Sequence, residues 1–203
     1  MKFILGLVVG AVLVPVLLLA YLASGFAPTA ATDKPFPGES LIAAIALQRR
    51  IQKEAPARDL SVMTSADLLA GADNYKKDCA VCHGLPDQPA APIGQGMFPG
   101  APQLLMPPPP GFGRGRGGPG GPGVPGVPNR APRRNGDFWR IKNGIRLTGM
   151  PSFEKSLTDD QIWQLVALLQ SRRDMPPAVK AELLSDVAPP VPIPVPAPPL
   201  VRK

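Results

Sequence analysis

The single histidine and both cysteines of this 203-residue chain fall within five consecutive positions. Cys79-Ala-Val-Cys82-His83 has the spacing C-x-x-C-H, which is the attachment signature of c-type haem. Two intervening residues let one helical turn present both thiols to neighbouring vinyl groups of the porphyrin, where they form thioethers. The next residue then directs its imidazole at the iron. We therefore expect Cys79 and Cys82 to attach one haem c covalently and His83 to be an axial ligand of its iron.

Other chemistry for these three residues is less consistent with the sequence. A zinc site needs a second Cys/His pair, which the chain lacks. A thioredoxin-like C-x-x-C needs a βαβ context, and the sequence shows none. A disulfide across two residues would be strained and would leave His83 unexplained. A Ser-His-Asp enzyme is excluded unless the one histidine is free for that work.

The second axial position of the iron cannot take a histidine from this chain, so a methionine or an open position remains. The outer candidates are Met97, Met106, Met150 and Met175. Met150 has the most favourable context, because Gly149 permits close approach of the backbone to the haem and Pro151 keeps the segment from becoming helix. Phe153 is placed to cover the haem edge.

Two amphipathic helices with clear start signals are predicted around the motif. Thr64 or Ser65 can cap the first helix, whose apolar face carries Leu68, Ala72, Tyr75 and Cys79 at spacings of 4, 3 and 4. The second spans about Thr158–Arg172 and begins with a capping box. A short third helix is expected over Asp137–Gly144, where glycine ends it. The pattern predicts an all-α fold of three to four helices around the haem.

Residues 1–24 are predicted to be a membrane segment. Phe3–Ala23 is a run of 21 uncharged residues, and a helix of ~1.5 Å rise per residue would span about 31 Å, the thickness of a bilayer core. Lys2 precedes the run, which favours a cytoplasmic N-terminus. The segment is an uncleaved transmembrane anchor or a signal peptide, and both would export the rest of the chain. We expect a membrane-anchored domain in the periplasm or on the outer face of the cytoplasmic membrane.

Proline and glycine set further boundaries, since together they make up 50 of the 203 residues. Pro107–Pro128 contains 8 prolines and 9 glycines, which leaves too few apolar residues for a packed core. We expect a flexible Gly/Pro/Arg-rich insertion at about 107–135 inside a domain at 64–176. A proline-rich tail is expected at 177–203.

A linker with a short helix is expected at 25–63. The helix is predicted over Leu41–Lys53 from the apolar spacing of Leu41, Ile45 and Ile51. The linker from Ser24 to Met63 would have a coil reach of about 35 Å.

The segment Thr64–Met175 resembles the class I c-type cytochromes. It has the order of that family: a first helix, CAVCH, a loop containing proline, a short helix, a Gly-Met-Pro strap and a C-terminal helix. The resemblance implies a small cytochrome c fold in which Cys79 and Cys82 form the thioethers, His83 is the proximal ligand and Met150 is the distal ligand.

Two further matches to the family are shorter. Pro102-Gln103-Leu104 resembles its Pro-x-Leu, which implies that the Pro102 carbonyl accepts a hydrogen bond from the proximal histidine and that Leu104 packs on the haem. Gly71 and Trp163 resemble the small/aromatic contact where the first and last helices cross. The 67 residues from His83 to Met150 exceed what compact members need, and the insertion accounts for the excess.

A haem whose axial positions are filled by histidine and methionine leaves no site for a substrate. We therefore expect a single-haem electron carrier between membrane-associated redox partners, with no catalytic residues and no enzymatic activity. The alternatives are a haem subunit of a larger oxidase or dehydrogenase, or a sensor or peroxidase with a labile Met ligand. The excess of 13 basic over 9 acidic residues in 64–175 favours an acidic protein partner. No nucleic acid and no diffusible substrate are expected.

Overall fold

The computed structural model describes residues 2–106 and 133–185. All regular secondary structure in these two ranges is helical, as the sequence predicts. The helices are α1 (Lys2–Ala23), α2 (Glu39–Glu54), α3 (Ser65–Asp78), α4 (Ala80–His83), α5 (Pro92–Gln95), α6 (Arg133–Asn143), α7 (Asp159–Ser171) and α8 (Pro177–Leu184). The predicted insertion lies outside the described residues over 107–132, and so does the predicted tail beyond Ser185.

Helix α1 has no buried residue among those whose burial is described, and all of these but Gly10 are exposed. Within the described residues it is the one helix that is long and apolar enough to cross a membrane. Its 22 residues correspond to about 33 Å at ~1.5 Å rise per residue. A signal sequence has the same composition and the same place in a chain, so α1 fits both the predicted anchor and the predicted signal segment.

Capping boxes begin the two central helices, α3 and α7. The Thr64 hydroxyl accepts a hydrogen bond from the amide of Asp67 at 3.3 Å, and the Asp67 carboxylate accepts one from the amide of Thr64 at 2.9 Å. Thr158 and Gln161 repeat the arrangement at α7, at 3.3 Å and 2.8 Å. Both starts satisfy backbone N–H groups that have no partner inside the helix.

The crossing of α3 and α7 forms the centre of the fold. Gly71 lies so close to α7 that a Cβ at this position would be 2.5 Å from the carbonyl oxygen of Gln164. Gly71 thus lets the backbones of α3 and α7 approach each other beside Trp163. The Trp163 ring stacks on Phe138 of α6, with ring centroids 4.3 Å apart.

One helix begins earlier than predicted, and another forms where the sequence predicts none. Helix α6 begins at Arg133, inside the predicted insertion and four residues before the predicted start. Residues 177–184, which the sequence assigns to the tail, form α8, and its Val179 and Leu183 are buried in the same core as α3. Pro177 occupies the first turn of α8, where proline lacks only an amide that would have no helical partner.

The segment predicted as a linker is partly folded onto the domain. Helix α2 packs on α6 through Ile51, which is buried, whereas Leu41 and Ile45 are exposed. Beyond α2, Arg58 forms an ion pair with Asp160 at 2.8 Å. Residues from α2 onward therefore belong to the packed structure.

Candidate haem site

A cleft between α3, α6, α7 and the intervening loops brings together all seven predicted site residues. Its empty space is about 820 Å³ with the open mouth and the solvent in it included. The predicted residues that line the cleft are Cys79, Cys82, His83, Pro102, Leu104, Met150 and Phe153. The remaining walls are mainly apolar and include Ile141, Leu165 and Leu169.

The imidazole of His83 is fixed by the loop that carries Pro102. Its Nδ1 lies 2.6 Å from the Pro102 carbonyl oxygen, and because a carbonyl can only accept, Nδ1 carries the proton. Burial lowers the pKa of His83, and the hydrogen bond to Pro102 opposes this shift. The ring is therefore neutral at pH 7, and its Nε2 keeps the lone pair that a metal needs.

The two thiols of the motif are half-buried and are not joined in a disulfide. Cys79 ends α3 and Cys82 lies in α4, so the turn between the two helices sets their spacing. Burial raises the pKa of Cys79 to about 12, with smaller contributions from the negative charge of Asp78 and from Cys82. The free Cys79 side chain is therefore a neutral thiol and not a thiolate nucleophile.

Gln103 holds the Pro102 loop in place, a role that the sequence pattern does not reveal. Its amide nitrogen donates to the carbonyl oxygens of Leu85 at 2.6 Å and Gln88 at 3.1 Å. Its amide oxygen accepts from the backbone N–H groups of Leu105 at 2.5 Å and Met106 at 2.8 Å. One side chain thus connects the segment after His83 to the segment that orients the imidazole.

Tyr75 is a second residue whose role was missed. The sequence places it on the apolar face of α3, but its hydroxyl also donates to the carbonyl oxygen of Gly84 at 2.9 Å in a buried position. Burial raises the pKa of Tyr75, so the hydroxyl stays protonated. Since Gly84 directly follows His83, this bond supports the end of α4. Aromatic periodicity alone carries no sign of such a bond.

Met150 lies on a strap, residues 145–153, that crosses the cleft between α6 and α7. The strap begins after Gly144, where φ is +68° and a Cβ would be 2.6 Å from the backbone of Pro151. Within the strap, the amide of Ile145 donates to the Met150 carbonyl at 3.2 Å. The hydroxyl of Thr148 accepts from the Met150 amide at 3.1 Å. These bonds fix the backbone on both sides of the thioether.

The end of the strap is tied to α6. The Ser152 hydroxyl donates to the Lys142 carbonyl at 2.7 Å, and the Phe153 amide donates to the Ile141 carbonyl at 3.2 Å. These bonds bring the Phe153 ring to the wall of the cleft. The strap is therefore anchored to α6 before α7 begins.

Of the four candidate methionines, two line the cleft and two do not. Met106 is exposed, and Met175 packs against the core. Met97 lines the cleft together with Met150, a neighbour relation that the sequence does not predict.

Comparison with protein families identifies the domain that contains this cleft. Residues 66–169 match the family model described as cytochrome c oxidase, cbb3-type, subunit III, which is just over half of the chain. The chain belongs to this family. It is accordingly a class I c-type cytochrome that carries covalently bound haem c and transfers electrons to and from redox partners. Searches of curated proteins and of solved structures found no match.

The residues of the cleft fit haem c. Two thiols on one turn of chain, an imidazole with a free Nε2 and a thioether all reach one apolar cavity. Within the described residues no group of three or more His, Cys, Asp or Glu side chains could hold a metal ion by itself. The donor set therefore suits an iron that arrives inside a porphyrin.

Proposed function

We propose that this cytochrome is a membrane-anchored carrier of single electrons and not itself an enzyme. In this proposal Cys79 and Cys82 form the thioethers, His83 and Met150 are the axial ligands, and Pro102, Leu104 and Phe153 line the pocket. The observation that carries it is the convergence of a neutral imidazole, a thioether and both thiols on one apolar cleft.

The chain's own groups suit electron transfer better than catalysis. The chemistry supplied by bound haem c is a one-electron ferric/ferrous couple. The Pro102 carbonyl holds the His83 ring in one tautomer, so no proton needs to move at that ligand. Met150 contributes a soft thioether that favours the ferrous state and raises the reduction potential. With both axial positions filled from the chain, a substrate has nowhere to bind.

The charge around the strap supports an acidic redox partner. Arg146 is exposed next to Ile145 of the cleft, and the sequence of 64–175 has a formal charge of +4, to which Arg114, Arg116 and Arg130 outside the described residues contribute. Docking to an acidic surface would then be fast and sensitive to salt. The position of Lys2 at the start of α1, before its apolar run, supports a cytoplasmic N-terminus and a haem domain on the outer, periplasmic face of the membrane.

Visible spectra of the matured full-length protein test the ligand assignment. We expect a low-spin c-type spectrum, a thioether charge-transfer band in the oxidised state and no change on adding carbon monoxide. Met150→Ala should lose the band and bind carbon monoxide, whereas the control Met106→Ala, outside the cleft, should do neither. A wild type that is high-spin or that binds carbon monoxide would refute the electron-carrier proposal.

A second candidate, a haem subunit that works only inside an oxidase, is favoured by the description of the family. Purification of the tagged, full-length protein from its native membrane in mild detergent separates the two. A free carrier is recovered alone and is reduced and oxidised by added partners. A subunit is recovered with further haem or copper proteins in fixed stoichiometry.

A further inference from the structure

The cleft contains a second thioether, Met97, that the proposed ligand set does not use. Met97 follows α5 and precedes the loop in which Pro102 binds His83. Its backbone therefore belongs to the segment that leads to Pro102, whereas its sulfur lies against Gly149 of the strap that carries Met150. Its side chain is half-buried and lines the same cavity.

The Met97 side chain occupies the space that any side chain at position 149 would need. A Cβ built on Gly149 overlaps the Met97 sulfur and lies 3.0 Å from both Cγ and Cε of Met97. The φ of Gly149 is outside the left-handed region, so the backbone there would accept alanine. A side chain at position 149 would therefore require the Met97 side chain to move, whereas the backbone itself would accept one.

This contact links two segments whose described hydrogen bonds run elsewhere. The strap bonds within itself and to α6, and the Pro102 loop is held by Gln103 to the residues after His83. Packing of the Met97 thioether against the bare backbone of Gly149 connects the two segments across the cleft.

We infer that Met97 is a positioning residue that holds the Met150 strap closed over the haem site. The inference rests on the proposed function, since it takes Met150 as the distal ligand. Met97 acts by packing and not by ligation. The Met97 side chain fills the space that the missing side chain of Gly149 leaves. This packing limits the access of water and of external ligands to the distal position.

Imidazole added to the oxidised, matured protein tests the inference, because it competes with the distal thioether. Met97→Ala should increase the apparent affinity for imidazole roughly tenfold, which corresponds to ~1.4 kcal/mol. Gly149→Ala should have the same effect, because its methyl group displaces the Met97 side chain. The double variant should bind imidazole no more tightly than either single variant, because both substitutions remove the same contact. Met97→Leu, which keeps the bulk and lacks the sulfur, should behave as wild type.

The outcomes separate this inference from the ligand assignment. Wild-type affinity for imidazole in Met97→Ala, with the thioether band still lost in Met150→Ala, would overturn the role of Met97 and leave the ligands in place. Additive effects of the two single variants would also overturn it. Loss of the thioether band in Met97→Leu would make Met97 itself the ligand, and both proposals would fail. If Met97→Ala does not mature, the imidazole affinities of Gly149→Ala and Met97→Leu still test the role of Met97.

Discussion

Replacing Gly71 by alanine places a methyl group where α3 crosses α7. The new Cβ would be 2.5 Å from the carbonyl oxygen of Gln164 and 2.9 Å from its carbonyl carbon. Both are backbone atoms, so neither can rotate away. To reach an ordinary contact of 3.4 Å, the helices must separate by about 0.9 Å. A gap of ~0.5–1 Å forfeits a quarter to a half of the dispersion energy of the contacts it opens.

The opposing effects on stability can be estimated. Forced overpacking costs ~1–3 kcal/mol, and the upper end applies here because the obstacle is backbone. Alanine regains ~1 kcal/mol of helix propensity over glycine. We expect Gly71→Ala to lower the free energy of unfolding by about 2 kcal/mol, which for a domain of this size lowers Tm by about 8–16 °C.

Circular dichroism at 222 nm on the matured protein measures the shift. Gly136→Ala in α6 is the matched control. A Cβ there meets the flexible end of the Arg140 side chain at 3.0 Å and the Ile51 side chain at 3.3 Å, so no backbone atom stands in its way. This control should leave Tm unchanged or raise it. If Gly71→Ala is as stable as wild type while Gly136→Ala is not, the close crossing does not constrain the fold.

Two further changes test the support of the site and the start of α3. Tyr75→Phe leaves the buried carbonyl of Gly84 without its donor, so urea unfolding should show a loss of ~1–3 kcal/mol; a change below ~0.5 kcal/mol would contradict the role assigned to this bond. Hydrogen bonds from the Thr64 amide, Gln164 and the Thr64 hydroxyl lower the pKa of Asp67. Its carboxylate therefore contributes stability that is present above the unfolded pKa of about 3.9 and is lost as pH falls through the lower folded pKa. Asp67→Asn should flatten the decline of the urea midpoint below about pH 4, and identical slopes for the two proteins would refute this contribution.

Features encoded over a few residues could be predicted from the sequence. In each capping box the two residues that cap the helix lie three positions apart, and the haem motif spans five residues. Local geometry therefore determines both features. All seven predicted site residues line one cleft. The motifs that carry them lie at helix ends or in the loops between helices, where short sequence signals are informative.

Features that depend on contacts between distant segments were missed. The Met97 side chain packs against Gly149, which is 52 positions further along the chain. The four hydrogen bonds of Gln103 form only once the loop has folded. For α8 a local signal was present, because Val179 and Leu183 are four residues apart and Pro177 suits a first turn. The many prolines further along the chain obscure this short helical signal.

The docking of α2 on α6 changes the mechanics of the proposed tether. With Ile51 buried and Arg58 paired to Asp160, the chain between α1 and the packed domain is residues 24–38, and not 24–63. A coil of 15 residues extends about 20 Å, compared with about 35 Å for the longer one. The volume swept shrinks about fivefold, and the local concentration of the haem domain near its anchor rises by the same factor. If α1 is the proposed anchor, electron transfer would be restricted to immediate neighbours in the plane of the membrane.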